Sequence, residues 1–303
     1  MLTIPNKKKN FFGFNETRIG YLLIAPAMIC ILVVAIFPLF QTVRLSLFDL
    51  KLQFISEAKF IGLQNYLDIF SETRFLAALF NTLIFTALSV ALELCLGMVM
   101  ALLMNSTFSG VKIVKVAVLV PWAIPTVISA MMWAFIYNDQ FGVLNAILMK
   151  LGLIVRNYAW LGSPVTAFGA IIFTDVWKTA PFMGLLLFAG LQNISPEINE
   201  ASKMDGANAV RQFFNITLPL LKPTILVALI FRTLEAFRIF DLVYVMTGGG
   251  PGNTTETLAV YTYKTLFRNL DFGRGSSMAV IIFLFVFLFA MLYIRILDKD
   301  TFR

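Results

Sequence analysis

Six stretches of this chain are each apolar over roughly 20 residues or more, the length a helix needs to cross the hydrocarbon core of a bilayer. They fall at about residues 19–43, 76–104, 114–137, 165–191, 224–246 and 277–297. A segment that crosses lipid must satisfy its backbone hydrogen bonds internally, which leaves a helix as the form available to runs of this kind. The expected fold class is therefore all-α, a polytopic membrane protein of about six transmembrane helices. The charge content agrees. Only 14% of the residues are charged and 59% are hydrophobic, against about 25% charged in soluble domains. The first run is too long for the apolar part of a cleaved signal, and no small-residue cleavage site follows it.

Basic residues set the expected orientation. Lys7, Lys8, Lys9 and Arg18 precede the first run and only Arg44 follows it closely, which puts the N-terminus in the cytoplasm. Six crossings return Arg295, Lys299 and Arg303 to the same side. The expected organisation is a cytoplasmic segment 1–18 and a membrane domain 19–303. Segments 44–75, 138–164 and 247–276 lie outside, and 192–222 lies inside. The net charge of +7 reads as helix-end basic residues, not as a nucleic-acid surface. There is no histidine, so the commonest proton shuttle and metal ligand are missing. Cys30 and Cys95 lie in apolar runs without CxxC spacing and read as small packing residues. Gly248-Gly249-Gly250-Pro251-Gly252 lacks the Gly-Lys-Ser/Thr end of a phosphate loop, and the next lysine, Lys264, lies well past the turn.

Segment 192–222 is the informative one. Ser195 suits a helix N-cap, Pro196 the first helical position, and Glu197 the positive end of the dipole. A short helix over about 196–204 is expected, then a bend at Gly206, then an amphipathic piece with Val210, Phe213, Phe214 and Ile216. Leu218-Pro219 and Lys222-Pro223 are expected to end that piece and start the fifth crossing. Shape alone fits an ordinary connector. The residues Glu200-Ala201-Ser202-Lys203-Met204-Asp205-Gly206-Ala207, followed by Ile216-Thr217-Leu218-Pro219, resemble the EAA loop of ABC importer permeases, with Ser202 in place of the second alanine. The resemblance implies a coupling helix that docks into a cytoplasmic ATPase subunit and carries its movement to the spans. Glu200, Ala201, Ser202, Asp205, Gly206 and Ala207 are the expected coupling residues.

Charges inside the apolar runs are costly, roughly 2.5–3.5 kcal/mol each at mid-span on insertion scales. Glu93 lies in the second run. Asp175 and Lys178 are spaced to pair in the fourth. Arg232, Glu235, Arg238 and Asp241 alternate in sign every three residues in the fifth. Two readings stay open: an internal salt-bridge ladder, and a wet cavity whose charged groups, Lys178 and Glu235 among them, meet solute hydroxyls. Prolines 121 and 125 interrupt the third run, and such breaks line cavities. Aromatic residues near the charges suit a sugar, whose ring faces stack while its hydroxyls need donors and acceptors.

The resemblance extends beyond the loop. Phe60-Ile61-Gly62-Leu63-Gln64-Asn65-Tyr66, the stretch 121–125, the stretch 231–241, and 247–251 followed by Tyr261-Thr262-Tyr263-Lys264 are similar to segments of carbohydrate importer permeases of the maltose and glycerol-3-phosphate type. That resemblance maps sugar contacts onto Trp122, Thr126, Trp177, Thr179 and Phe182, and onto Arg232, Ala236 and Ile239. It implies a type I importer fold in the cytoplasmic membrane, a second similar permease, two ATPase subunits that bind the ATP and Mg, and an extracytoplasmic solute-binding protein. That protein is expected to meet residues 60–70 and 247–276. No cofactor or catalytic site is expected in this chain. A permease for a peptide, amino acid or polyamine, and a secondary transporter, are the rival readings.

Overall fold

The computed structural model describes residues 16–52 and 58–301. Nearly all of the expected segment 1–18, with Lys7, Lys8 and Lys9, lies outside the described residues, as does Arg303. Among the described residues five helices are long and apolar enough to cross a membrane: α1 (Gly20–Ser46), α3 (Thr73–Asn105), α7 (Pro164–Gln192), α9 (Ala209–Ala236) and α12, apolar over Phe272–Ile296 and helical to Thr301. A sixth is a bent pair, α4 (Val111–Ala123) and α5 (Thr126–Ile136), which meet at 93°. Shorter helices fill the connections: α2 (Gln64–Phe70), α6 (Val143–Lys150), α8 (Pro196–Met204), α10 (Asp241–Met246) and α11 (Leu258–Tyr263). Two short strands, β1 (Phe48–Asp49) and β2 (Lys59–Phe60), pair antiparallel.

The expected single third crossing is a helix turned through a right angle. Pro125 has no N–H to continue the ladder, and Ile124 before it is held extended at ψ 132°. The fifth crossing also differs from the expected 224–246. It starts at Ala209, runs through both Pro219 and Pro223, and stops at Ala236. A π-helical turn over Phe213–Thr217 sits just before Pro219, and another over Leu32–Ile36 just before Pro38. A widened turn makes room for the proline ring where a regular helix would clash. The expected break at Pro219 and Pro223 is absent.

The centre of the bundle is the pair α3 and α7. Gly97 and Gly184 face each other there: a Cβ on Gly97 would lie 2.7 Å from Met183 Cγ and 3.0 Å from the Gly184 amide. Small residues at this point let two backbones approach closely. Gly97→Leu is expected to wedge the pair apart, which size-exclusion chromatography of the detergent-purified complex would reveal as a lost monodisperse peak.

Residues 247–276 are more than a loop. Thr255, Glu256 and Thr257 are buried, and the segment is tied to the start of α3. Arg74 donates to both oxygens of Glu256, at 2.8 and 3.0 Å, and Lys264 Nζ donates to the same carboxylate at 2.6 Å. Lys264 thus returns to the glycine turn, beside Gly249, with its ammonium held by Glu256. Tyr261 donates to Glu72 at 2.6 Å, and burial together with that bond pushes its phenol pKa up. The first connection joins the same layer, where Phe272 N donates to Leu50 O at 2.8 Å. Asn65 donates to the Ser46 and Phe48 carbonyls at 2.9 and 3.0 Å, so this part of the 60–66 motif fastens the turn after α1. Cys30 and Cys95 are exposed on the chain rather than packed in it.

Candidate functional site

On α7, Asp175, Lys178, Thr179 and Phe182 follow an i, i+3, i+4, i+7 spacing and share one helix face. On α9 and just past its end, Arg232, Glu235, Ala236 and Ile239 do the same. The two faces meet the broken α4/α5 elbow, with Trp122 on one side of the break and Thr126 on the other. Together they line a recess of about 540 Å³, with Arg238, Phe240 and Asp241 at its margin. Trp122 and Phe182 stack there at 5.6 Å and 19°.

Nine of the ten residues expected to meet solute line this recess: Trp122, Thr126, Lys178, Thr179, Phe182, Arg232, Glu235, Ala236 and Ile239. Trp177 does not. At 100° per residue it points about 100° away from Lys178, and it lies instead on an apolar groove between α3, α4 and α7, edge-on to Trp133 at 5.4 Å.

Of the charge ladder, only the Arg232–Glu235 rung forms among the described residues, and Arg232 extends it into a buried cluster that pins α9 to its neighbours. Arg232 Nε and Nη2 donate to the two oxygens of Glu93 at 2.5 and 2.8 Å, a bidentate pair. Nη2 also reaches Asp175 at 3.3 Å, and Nη1 reaches Glu235 at 2.7 Å. Thr179 Oγ1 lies 2.8 Å from Glu93. One guanidinium thus joins α3, α7 and α9 in the interior. Arg238 instead donates to the Leu234 carbonyl of α9, because that helix ends at Ala236 and the chain turns before Asp241. The expected pair of Asp175 with Lys178 does not form, since Asp175 is taken by Arg232. Lys178 is only 9% exposed, lines the recess, and has no carboxylate partner among the described residues. Glu93 and Asp175 are the members that sequence reasoning left out of the site, and Glu93 is the more distant in sequence. Its signal was present, a lone carboxylate in a 33-residue apolar helix, but its partner lies 139 residues away.

The segment 192–222 folds as expected up to its bend. α8 carries Glu200, Ala201 and Ser202. Ser195 stands at the N-cap position but makes no side-chain cap bond. At the other end Gly206 N donates to Lys203 O and Ala207 N to Ser202 O, both at 3.0 Å. These two bonds, with Gly206 at φ +77°, form a Schellman motif that closes the helix and turns the chain. The required feature at Gly206 is its left-handed backbone; a side chain there would meet nothing within 4 Å. Asn208 then accepts from Arg211 N at 2.9 Å and caps the start of α9. Glu200, Ala201 and Asp205 are exposed and Ser202 is buried. Met204 is 89% exposed, a large apolar side chain at the tip of the bend.

Broken and unbroken crossings, an interior recess with aromatic and charged walls, and a bent helix pair at the far end of one wall define a multi-pass membrane transport component. The family model described as "Binding-protein-dependent transport system inner membrane component" matches residues 93–303, and the chain belongs to that family. It is 44% identical over 97% of its length to the trehalose/maltose transport system permease protein MalF of Thermococcus litoralis, covering 98% of that protein. It is 41% identical to the sulfoquinovosyl glycerol transport system permease protein SmoG of Agrobacterium fabrum, over 96% of this chain and 94% of that one. Its fold matches a chain of a bacterial alginate ABC transporter, in complex with an alginate pentasaccharide-bound periplasmic protein, with a TM-score of 0.80 at 22% identity, over 91% of this chain and 92% of that chain.

Proposed function

We propose that this chain is the permease subunit of an ATP-driven importer that passes a sugar or oligosaccharide through the recess by alternating access. The carrying observation is one continuous helix: α9 begins beside the Gly206 bend and ends at Arg232, Glu235 and Ala236 in the recess wall. From Ala209 to Arg232 that is roughly 35 Å of helix, enough to transmit a push at one end to a wall at the other. In this reading the segment 192–222 faces the cytoplasm, as do both termini. Glu200, Ala201, Asp205 and Gly206 seat in an ATPase subunit, with Met204 as the apolar contact. A second permease completes the recess, two ATPase subunits bind ATP and Mg, and a solute-binding protein delivers sugar on the other side. The exposed side chains of Phe60, Leu63, Leu67 and Phe70 suit that protein. The energy enters through contacts that differ between the two states.

Trp122 and Phe182 offer ring faces to a sugar, and Lys178 offers an uncommitted donor. Arg232, with three carboxylates already on it, holds the wall in place. Uptake of labelled trehalose and maltose by cells lacking the chain, with and without its restoration, tests the function; no gain for either sugar or for a wider oligosaccharide panel would overturn it. A hydrogen bond from a charged donor contributes about 1.5–3 kcal/mol. Lys178→Met is therefore expected to raise the half-saturating sugar concentration roughly ten- to a hundredfold, while Trp177→Ala leaves it unchanged.

A further inference from the structure

Beyond the recess a second run of aromatic rings continues from its margin. Phe240, which lines the recess, stacks on Tyr244 at 5.1 Å and 19° and lies 5.0 Å from Tyr263. Tyr263 is 5.1 Å from Tyr244 and 5.1 Å from Phe267. Phe267 is 60% exposed. Arg268 Nη2 donates to Tyr244 Oη at 3.3 Å on the exposed side, with the guanidinium 5.8 Å from the Tyr244 ring centre. The run thus leads from the recess to the surface at the end of α9 opposite the Gly206 bend.

Two features set these rings apart: they continue from the recess lining, and they carry phenol and guanidinium groups at their edge. Phe237, by contrast, is fully buried against Phe285 and Phe289. Phe240, Tyr244 and Tyr263 are only partly covered, and Phe267 is open. Their chemistry is that of a carbohydrate surface: flat apolar faces, with phenol and guanidinium donors at the edge. Their continuity with Phe240 gives a ring leaving the surface a next face to meet at each step.

We propose that Tyr244, Tyr263, Phe267 and Arg268 form an outer sugar subsite, which receives a ring of the solute before it enters the recess. This rests on the sugar-import reading above and adds a place on the route. The subsite governs capture at low sugar concentration. It leaves the maximal rate, set at the recess and the coupling segment, largely untouched.

The test uses the complete importer with its binding protein in proteoliposomes, with labelled trehalose and maltose as probes. Phe267→Leu and Tyr263→Leu remove the flat faces while keeping apolar bulk. Together they are expected to lower uptake at low sugar about five- to tenfold, the order of effect that two lost ring contacts produce, with the maximal rate kept within twofold. Phe267→Trp and Tyr263→Phe keep a ring and are expected to behave as the parent. Because Phe267 is exposed, its single Leu variant serves if the double variant assembles poorly, with a smaller loss expected. Leu variants that match the parent at low sugar would leave the run as packing only and overturn the subsite. So would aromatic variants that lose as much as the Leu variants. Absence of sugar uptake in the parent complex is a different result: it removes the import reading, and the subsite with it.

Discussion

Arg232→Met is expected to abolish assembly of the bundle rather than merely weaken solute binding. The guanidinium is the sole cation bonded to Glu93 and Asp175 among the described residues, and all three groups are buried. Removing one partner of a buried ion pair costs about 3–5 kcal/mol, because a charge is left without compensation. Here two carboxylates would be left, on two different helices, with Glu235 released as a third. The measurement is the melting temperature of the purified complex in detergent, alongside uptake. Arg232→Met with Glu93→Leu and Asp175→Asn is expected to recover much of the melting temperature, since replacing a whole buried cluster with uncharged groups is often close to neutral. Uptake should stay impaired, because the wall beside Lys178 has changed. A single Arg232→Met variant that melts like the parent would show that the cluster does not hold the helices together.

Glu200→Arg combined with Gly206→Pro is expected to lower uptake at least about a hundredfold while the chain still inserts. Gly206 sits at φ +77°, whereas proline is confined near −65°. Proline also removes the N–H that donates to Lys203 O. The Schellman closure would open and the angle between α8 and α9 would change. Reversing the charge at Glu200 alters the exposed face meant for the partner. Both positions lie outside the packed bundle, so the amount of chain in isolated membranes, read by immunoblot, should match the parent. Gly206→Asn is the control, because asparagine tolerates the left-handed region, and most uptake should remain. Full uptake by the double variant would remove the coupling role from this segment.

Much of this was legible in the residues themselves, for reasons that can be named. Six apolar runs near bilayer length leave little choice but helical crossings. Pro125 marked the break in the third crossing because proline cannot donate to a helix ladder, whereas Pro121, read with it as an interruption, stays inside α4. The spacing of Lys178, Thr179 and Phe182, and of Arg232, Glu235, Ala236 and Ile239, put each set on one face. Gly206 marked the bend because a left-handed residue is needed where α8 closes.

Other features depended on distance in space. The resemblance mapped a sugar contact onto Trp177, but a one-residue step on a helix turns a side chain by about 100° and sent it to the apolar groove. The alternation of Arg232, Glu235, Arg238 and Asp241 left open an internal salt-bridge ladder and a wet cavity; of the ladder only the Arg232–Glu235 rung forms among the described residues. The helix ends at Ala236, and Arg232 reaches across 139 and 57 residues of sequence to Glu93 and Asp175. The continuity of α9 through Pro219 was hidden as well, because the π turn that accommodates the ring leaves no residue signature.

The order of residues settles local matters: which segments cross, where the chain must bend, and which side chains share a helix face. These follow from backbone hydrogen bonding and the pitch of a helix, properties of neighbours along the chain. Which faces meet, which carboxylates Arg232 joins, and that Lys178 is left in the recess wall without a carboxylate partner among the described residues came from the three-dimensional arrangement. Those outcomes depend on packing and on long-range electrostatics, which bring together residues that no spacing rule connects.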